Sequence, residues 1–172
     1  MLCNINFSRP FLRRARAPGR RVATDVHTIA DLEDEYNRDF MRYADILFMS
    51  DERLPCPPEE WAQAVQKRYG NEIVVIGLGA EGALMAVKKD GYLGRIPAAR
   101  PPRIVSTIGA GDALFSSFLH YYVKSGNPYA ALRRAVVFAA HKIGTAGAAE
   151  GFLDEATLEN VCDKRHAISN TR

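Results

Sequence analysis

A chain of 172 residues that is 47% hydrophobic and 25% charged, with a formal net charge of only +3, has an ordinary globular composition and the length for one sizeable core. It holds no apolar run near the roughly 18 residues of a membrane span, no low-complexity tract and no internal repeat, which predicts a single soluble domain over 1–172 with no membrane partner. Cys3, Cys56 and Cys162 are odd in number, widely spaced and without histidines at ligand spacing, so they suggest neither a disulfide framework nor a zinc site and fit a reducing, cytoplasmic setting.

Six arginines fall within the first 21 residues, and the first acid is Asp25. A basic arm for nucleic acid and an Arg-rich transit peptide share that signature. Here "RPFLRRARA" lies between two strand-like runs, which favours the solvated face of a helix and no nucleic-acid partner.

In chain order, "LCNINF" alternates as a short strand can, and "SRPFLRRARAPG" predicts a helix with Ser8 as its N-cap and Gly19 beyond its end. "RRVATDV" is the next strand, closing one β-α-β unit. In "DLEDEYNRDFMRYA", Leu32, Tyr36 and Phe40 recur every four residues on one helical face. "DILFMS" follows as a buried strand.

"PPEEWAQAVQKRYG" has proline at its start, acids in its first turn, Lys67 and Arg68 in its last, and a closing Gly70, so it is punctuated as a helix with Trp61 packing. "EIVVI" is rich in β-branched residues, as strands covered on both faces are. Strands alternating with helices predict an α/β fold with a mostly parallel sheet.

Past Ile76, "GLGAEGALMAVKKDGYLGRIPA" breaks into strand, turn and strand, a small antiparallel meander at one side of the sheet. From Ser106 the chain turns helical. Leu114, Phe115, Phe118, Leu119 and Tyr122 form an apolar stripe, and "KSGNP" ends that helix and starts the next, with Asn127 as N-cap and Pro128 as first helical residue. "YAALRRAVVFAAHKIG" is apolar almost all round, hence buried. A last helix starts at Asp154 and packs through Leu158 and Val161.

Two glycine motifs carry chemistry. Gly77, Gly79 and Gly82 spell G-x-G-x-x-G after a strand, which matches a dinucleotide fingerprint only if a helix opens directly behind it. "ALMAVKKDG" is too short for that and ends in a hairpin signal, which leaves a tight structural turn or a backbone-lined nucleotide loop of another type. Secondary structure at 83–89 discriminates these from a dinucleotide-binding oxidoreductase. The second motif, T-x-G-A-G-D, precedes an amphipathic helix. Its glycines let successive amides converge on an anion, the helix dipole adds to that field, and Asp112 stands where a carboxylate can accept a hydroxyl proton. The plainer alternative is that Asp112 only caps a helix.

"STIGAGDALFSSFL" resembles the C-terminal signature of the ribokinase-like (PfkB-type) carbohydrate kinases, and "VVIGLGAEGALMAV" resembles that family's nucleotide loop. "FAAHKIGTAGAAEGF" is similar to its final nucleotide-side helix and loop, so the resemblance covers almost the whole chain but only the second half of a family member. It implies a three-layer α/β/α architecture truncated at the N-terminal side, and an ATP-dependent phosphotransferase acting on a sugar or nucleoside hydroxymethyl. It further implies Asp112 as catalytic base, an anion hole of Gly109, Ala110 and Gly111, ATP contacts from Gly77, Leu78, Gly79, Ala80, Glu81, Gly82, Gly111 and Asp112, and Mg2+ with the nucleotide.

The missing half would hold the lid and most sugar contacts, leaving an exposed sheet edge that a second copy could cover and a chain that turns over poorly alone. At the family's N-x-x-E after "ADILF", which helps order metal and phosphates, this chain has Ser50 and Arg53, flanking Asp51 and Glu52. Its metal ligands are therefore unassigned, and a non-catalytic binding protein of the same fold is the second reading. Ser106 replaces an Asp common before the anion-hole threonine, which weakens a monovalent-cation site, and Ser117 replaces a smaller residue. His27, His120, His141 and His166 lack metal-ligand spacing, and Lys142 is a candidate neighbour of the nucleotide.

Overall fold

The computed structural model describes residues 1–2, 4–101, 103–147 and 150–169, with side chains through Asp163; Cys3, Ala148, Ala149 and the His166 side chain lie outside them. Two compact units divide the chain, Met1–Arg95 and Ile96–Arg172.

The first unit is built on a sheet. Strands β1 (Ala23–Thr28), β2 (Ile46–Ser50) and β3 (Ile73–Gly77) run parallel, and β4 (Ala83–Val87) returns antiparallel on β3 with β5 (Tyr92–Ile96) beyond it, in spatial order β1-β2-β3-β4-β5. This is the mixed, mostly parallel sheet that the alternating pattern predicts. β2 and β3 are buried over four consecutive residues and β4 throughout, as apolar strands covered on both faces must be. The core gathers Phe40, Met41, Leu47, Trp61, Val65, Val74, Ile76 and Leu84.

The helices of this unit depart from expectation at its start. No strand forms among the described residues of "LCNINF": a 3-10 helix spans Asn6–Phe11, followed by the four-residue α1, Leu12–Ala15. The Leu2 amide reaches the sheet, donating to the Ala23 carbonyl at 2.9 Å. Ser8 is not an N-cap. It lies inside the 3-10 turn, where its hydroxyl donates to the Ile5 carbonyl at 3.0 Å, while Arg9 is drawn across to Asp39 and to the faces of Tyr36 and Phe40. Six alternating residues specify too little apolar burial to outweigh those tertiary contacts.

The helix expected from Leu32 onward is also shorter, with α2 spanning only Arg38–Tyr43. Asp31 and Asp34 explain why. Their carboxylates accept from the Glu33 amide (2.9 Å) and the Asn37 amide (2.7 Å), offering the backbone a turn in place of the helical ladder. α3 (Pro58–Tyr69) follows its sequence signals closely, ending at Gly70 with φ +78°.

In the second unit, α4 (Ala110–Ser125) and α5 (Pro128–Lys142) pack as neighbours, and α6 (Glu155–Ser169) lies on α5. Asn127 caps α5 as expected, accepting from the amides of Tyr129 (3.0 Å) and Ala130 (3.1 Å). α4 buries Leu114, Phe115 and Phe118, with Tyr121 rather than Tyr122 completing the stripe. Asp154 accepts from the Thr157 amide at 2.7 Å and so caps α6, whose buried face presents Leu158 and Cys162.

Candidate active site

One candidate, in the first unit, lies at the carboxyl ends of β2 and β3, where open α/β sheets bind ligands. Gly77 ends β3 and pairs in register with Ser50 at the end of β2. Leu78 then turns inward and is buried, anchoring the loop. Gly79, Ala80 and Glu81 form one 3-10 turn, and Gly82, at φ +101°, delivers the chain into β4.

Three bonds close this loop: the Leu78 amide to the Gly82 carbonyl (2.9 Å), Glu81 to Leu78 (3.0 Å) and Gly82 to Gly79 (3.2 Å). The amides of Gly79 and Ala80 donate to no backbone acceptor among the described residues, and both residues are exposed. No atom stands within 4 Å of where a Cβ on Gly79 would lie. The result is a small exposed backbone crest suited to an anionic or polar ligand edge.

Residues 83–87 form a strand, so no helix opens behind the glycines. That removes the dinucleotide-binding oxidoreductase reading, since its pyrophosphate site needs a helix N-terminus there. Glu81 is engaged structurally: Arg95 pairs with it at 2.8 Å and with Glu59 at 2.6 Å, tying the loop to β5 and α3. The Arg95 guanidinium holds the Glu59 carboxyl below the usual carboxylate range. Nothing in the local pattern of "GYLGRIPA" distinguishes Arg95 as that anchor.

A separate candidate precedes α4, in the second unit. Gly109 takes φ +81°, a left-handed conformation that few side chains allow, and Asp112 follows in the first turn of the helix. The Ala110 amide is used locally, donating to the Thr107 carbonyl at 3.1 Å, and the Ile108 amide donates to Ser106 Oγ at 3.3 Å. The amides of Gly109, Gly111 and Asp112 have no acceptor among the described residues. Asp112 is exposed, and its carboxylate makes no hydrogen bond or ion pair there either. It is not a side-chain cap, since Gly109 occupies that position.

Lys142 lies at the end of α5 and is only 1% exposed. Its ammonium donates to Thr145 Oγ1 (3.1 Å) and the Gly147 carbonyl (2.5 Å), fastening the loop behind α5. Among the described histidines, His120 faces Glu155 at 3.5 Å, and His27 is exposed at the end of β1, where its φ of 58° is the one positive value outside glycine among the described residues. A polar hollow of about 290 Å³ beside Glu33, Arg38, Arg42 and Arg68 contains none of the predicted site residues.

A metal held by protein side chains does not fit the strand-end corner. Among the described residues no three His, Cys, Asp or Glu side chains gather as a metal site, and the positions that would carry N-x-x-E offer a hydroxyl, Ser50, and a cation, Arg53. No helix among the described residues is long and apolar enough to cross a membrane.

The deoxyribokinase of Salmonella typhi is 40% identical over 70 residues, a stretch that covers 41% of this chain and 22% of that enzyme. The structure of a microbiome-derived acarbose kinase superposes with a TM-score of 0.83 at 32% identity, covering 94% of this chain and 54% of that one. The aminoimidazole riboside kinase of Salmonella enterica, solved with its riboside and an ATP analogue, gives a TM-score of 0.72 at 24% identity over 90% of this chain and 56% of that one. The chain thus spans about half the length of the solved relatives it matches and about a fifth of the curated one. The pfkB family carbohydrate kinases match residues 28–156, more than half of the chain. With its ribokinase-like α/β fold, the chain belongs to the pfkB family of carbohydrate kinases.

Proposed function

We propose that this chain serves an ATP-dependent phosphotransferase whose acceptor is a hydroxymethyl group of a sugar or nucleoside. One observation carries the reading: at the head of α4, an exposed Asp112 carboxylate with no partner among the described residues stands three residues after the positive-φ Gly109, among amides left without acceptors. In the proposed reaction Asp112 accepts the proton of the acceptor hydroxyl as its oxygen attacks the γ-phosphorus. The bond from that phosphorus to the β-γ bridging oxygen breaks, and ADP leaves. The free amides of Gly109, Gly111 and Asp112, together with the α4 dipole, favour the charge gathered on the moving phosphoryl group.

Gly77, Leu78, Gly79, Ala80, Glu81 and Gly82 serve the nucleotide in this reading, with Gly79 and Ala80 offering the available amides and Leu78 and Glu81 fixing the loop. Support for ATP comes from the family and from the ATP analogue in the riboside kinase neighbour. Mg2+ belongs to the nucleotide's own phosphates and water, since the strand-end corner does not fit a protein-held ion. Cys56 and Cys162 are thiols, in keeping with a reducing cytoplasmic setting. The edge strand β1 is where a second copy would associate.

Because the chain spans about half of a solved relative, we expect it to bind nucleotide more readily than it turns over by itself. The test is calorimetric titration with ATP and a phosphorylation assay over a panel of sugars and nucleosides. ATP binding is the expected result, and its absence overturns the reading. Rapid turnover by the isolated chain would overturn the expectation of low activity. A second reading, a non-catalytic nucleotide-binding relative, is favoured by Ser50 and Arg53; ATP binding with no turnover in a fully assembled protein would select it.

A further inference from the structure

Arg53 occupies the turn that leaves β2, three residues after Ser50. That turn is held on several sides. The Asp51 amide donates to the Gly77 carbonyl at 3.1 Å, the Glu52 amide to Ser50 Oγ at 3.3 Å and the Leu54 amide to the Asp51 carbonyl at 3.2 Å, while Leu54 packs against the core. The Ser50–Gly77 register therefore sets the Arg53 turn and the 77–82 loop side by side at one strand end. Both belong to the same compact unit.

Arg53 is exposed and makes no hydrogen bond or ion pair among the described residues. Elsewhere in this chain Arg9, Arg16, Arg21, Arg68, Arg95 and Arg134 all pair with carboxylates. Here Asp51 and Glu52 are sequence neighbours, yet the guanidinium pairs with neither. It remains available beside a loop whose own free donors are two amides.

A carboxylate at this position can engage a triphosphate only through an intervening cation. A guanidinium needs none: its planar fork matches phosphate oxygens bidentately, and its charge disfavours a divalent ion in the same space. We propose that Arg53 binds the phosphates of the nucleotide directly, replacing at this corner the acid-and-metal arrangement of the N-x-x-E pattern, so that nucleotide binding by this chain depends only weakly on Mg2+. The inference rests on the reading of 77–82 as a nucleotide loop.

Isothermal titration of the 172-residue chain with ATP, in Mg2+ and in EDTA, with adenosine as a ligand lacking phosphate, tests it. Wild-type ATP affinity should change by less than about fivefold between Mg2+ and EDTA, whereas Arg53→Ala should weaken metal-free ATP binding by roughly tenfold or more, the scale of a charge-assisted phosphate contact. Adenosine affinity should be unchanged, Arg53→Lys should recover part of the loss, and Ser50→Asn with Arg53→Glu should make ATP binding require Mg2+. Circular dichroism confirms that each variant is folded. Equal metal-free ATP affinity in wild type and Arg53→Ala, or loss of wild-type ATP binding in EDTA, overturns the inference while leaving the nucleotide loop standing. A wild-type chain that binds neither ATP nor adenosine overturns both.

Discussion

The guanidinium of Arg134 in α5 forks onto the carboxylate of Glu159 in α6, with Nε to Oε1 at 2.6 Å and Nη2 to Oε2 at 3.1 Å. The same cation lies 5.1 Å from the ring centroid of Tyr121 in α4, so one side chain joins three helices. The Arg134 hydrogen bonds hold the Glu159 carboxyl below the ordinary carboxylate range.

A carboxyl depressed in the folded state contributes stability above its unfolded value, and that contribution disappears as the pH falls through the folded value. Glu159→Gln should therefore cost about 0.5 to 1 kcal/mol at neutral pH, the range for a half-exposed bidentate pair, and lower the melting temperature by roughly 1 to 4 °C. The gap between variant and wild type should begin to narrow below about pH 4 and close only once the folded carboxyl is itself protonated. Thermal melts at pH 7 and in mild acid check both statements.

Asn71 is 1% exposed and donates through Nδ2 to the carbonyls of Met41 (2.9 Å) and Ala44 (2.6 Å), completing the C-terminal end of α2. Asn71→Ala leaves those acceptors without their buried donor and should cost about 2 to 3 kcal/mol. Asn71→Asp should cost more, because it sets a carboxylate against two carbonyl oxygens. Urea unfolding of the two variants gives the order.

Asp112 is exposed and bonds no side chain among the described residues, so Asp112→Asn should change stability by less than about 1 kcal/mol, the limit of its interaction with the α4 dipole. In a turnover-competent assembly the same substitution should lower kcat by on the order of 10² to 10⁴. A variant that melts like wild type yet keeps full activity would remove Asp112 from the chemistry.

Gly111 lies inside the first turn of α4, and no atom stands within 4 Å of its would-be Cβ. Gly111→Ala should raise helix stability by about 0.5 to 1 kcal/mol, yet the added methyl intrudes on the free amides and should lower activity on the order of tenfold or more. Gly109→Ala should act oppositely on stability, costing about 1 to 2 kcal/mol at its φ of +81°. Melting temperature and rate, measured together on both variants, separate the two roles.

Much of this protein is legible in its sequence because the signals are local. The β-branched run of β3, the proline, acids and glycine around α3, and Asn127 before Pro128 each settle a structure through contacts within a few residues. Other features depend on partners far along the chain. The segment 6–15 became a 3-10 turn and a short helix because Arg9 reaches Asp39 and Tyr36, and α2 lost its first turns to Asp31 and Asp34. Only the folded chain shows that Glu81 is held by Arg95, that the Ala110 amide is already spent, and that Arg53 stands unpaired beside the 77–82 loop. Short-range backbone preference can be read from neighbouring residues. Which polar groups remain free to act is decided by where distant ones are spent.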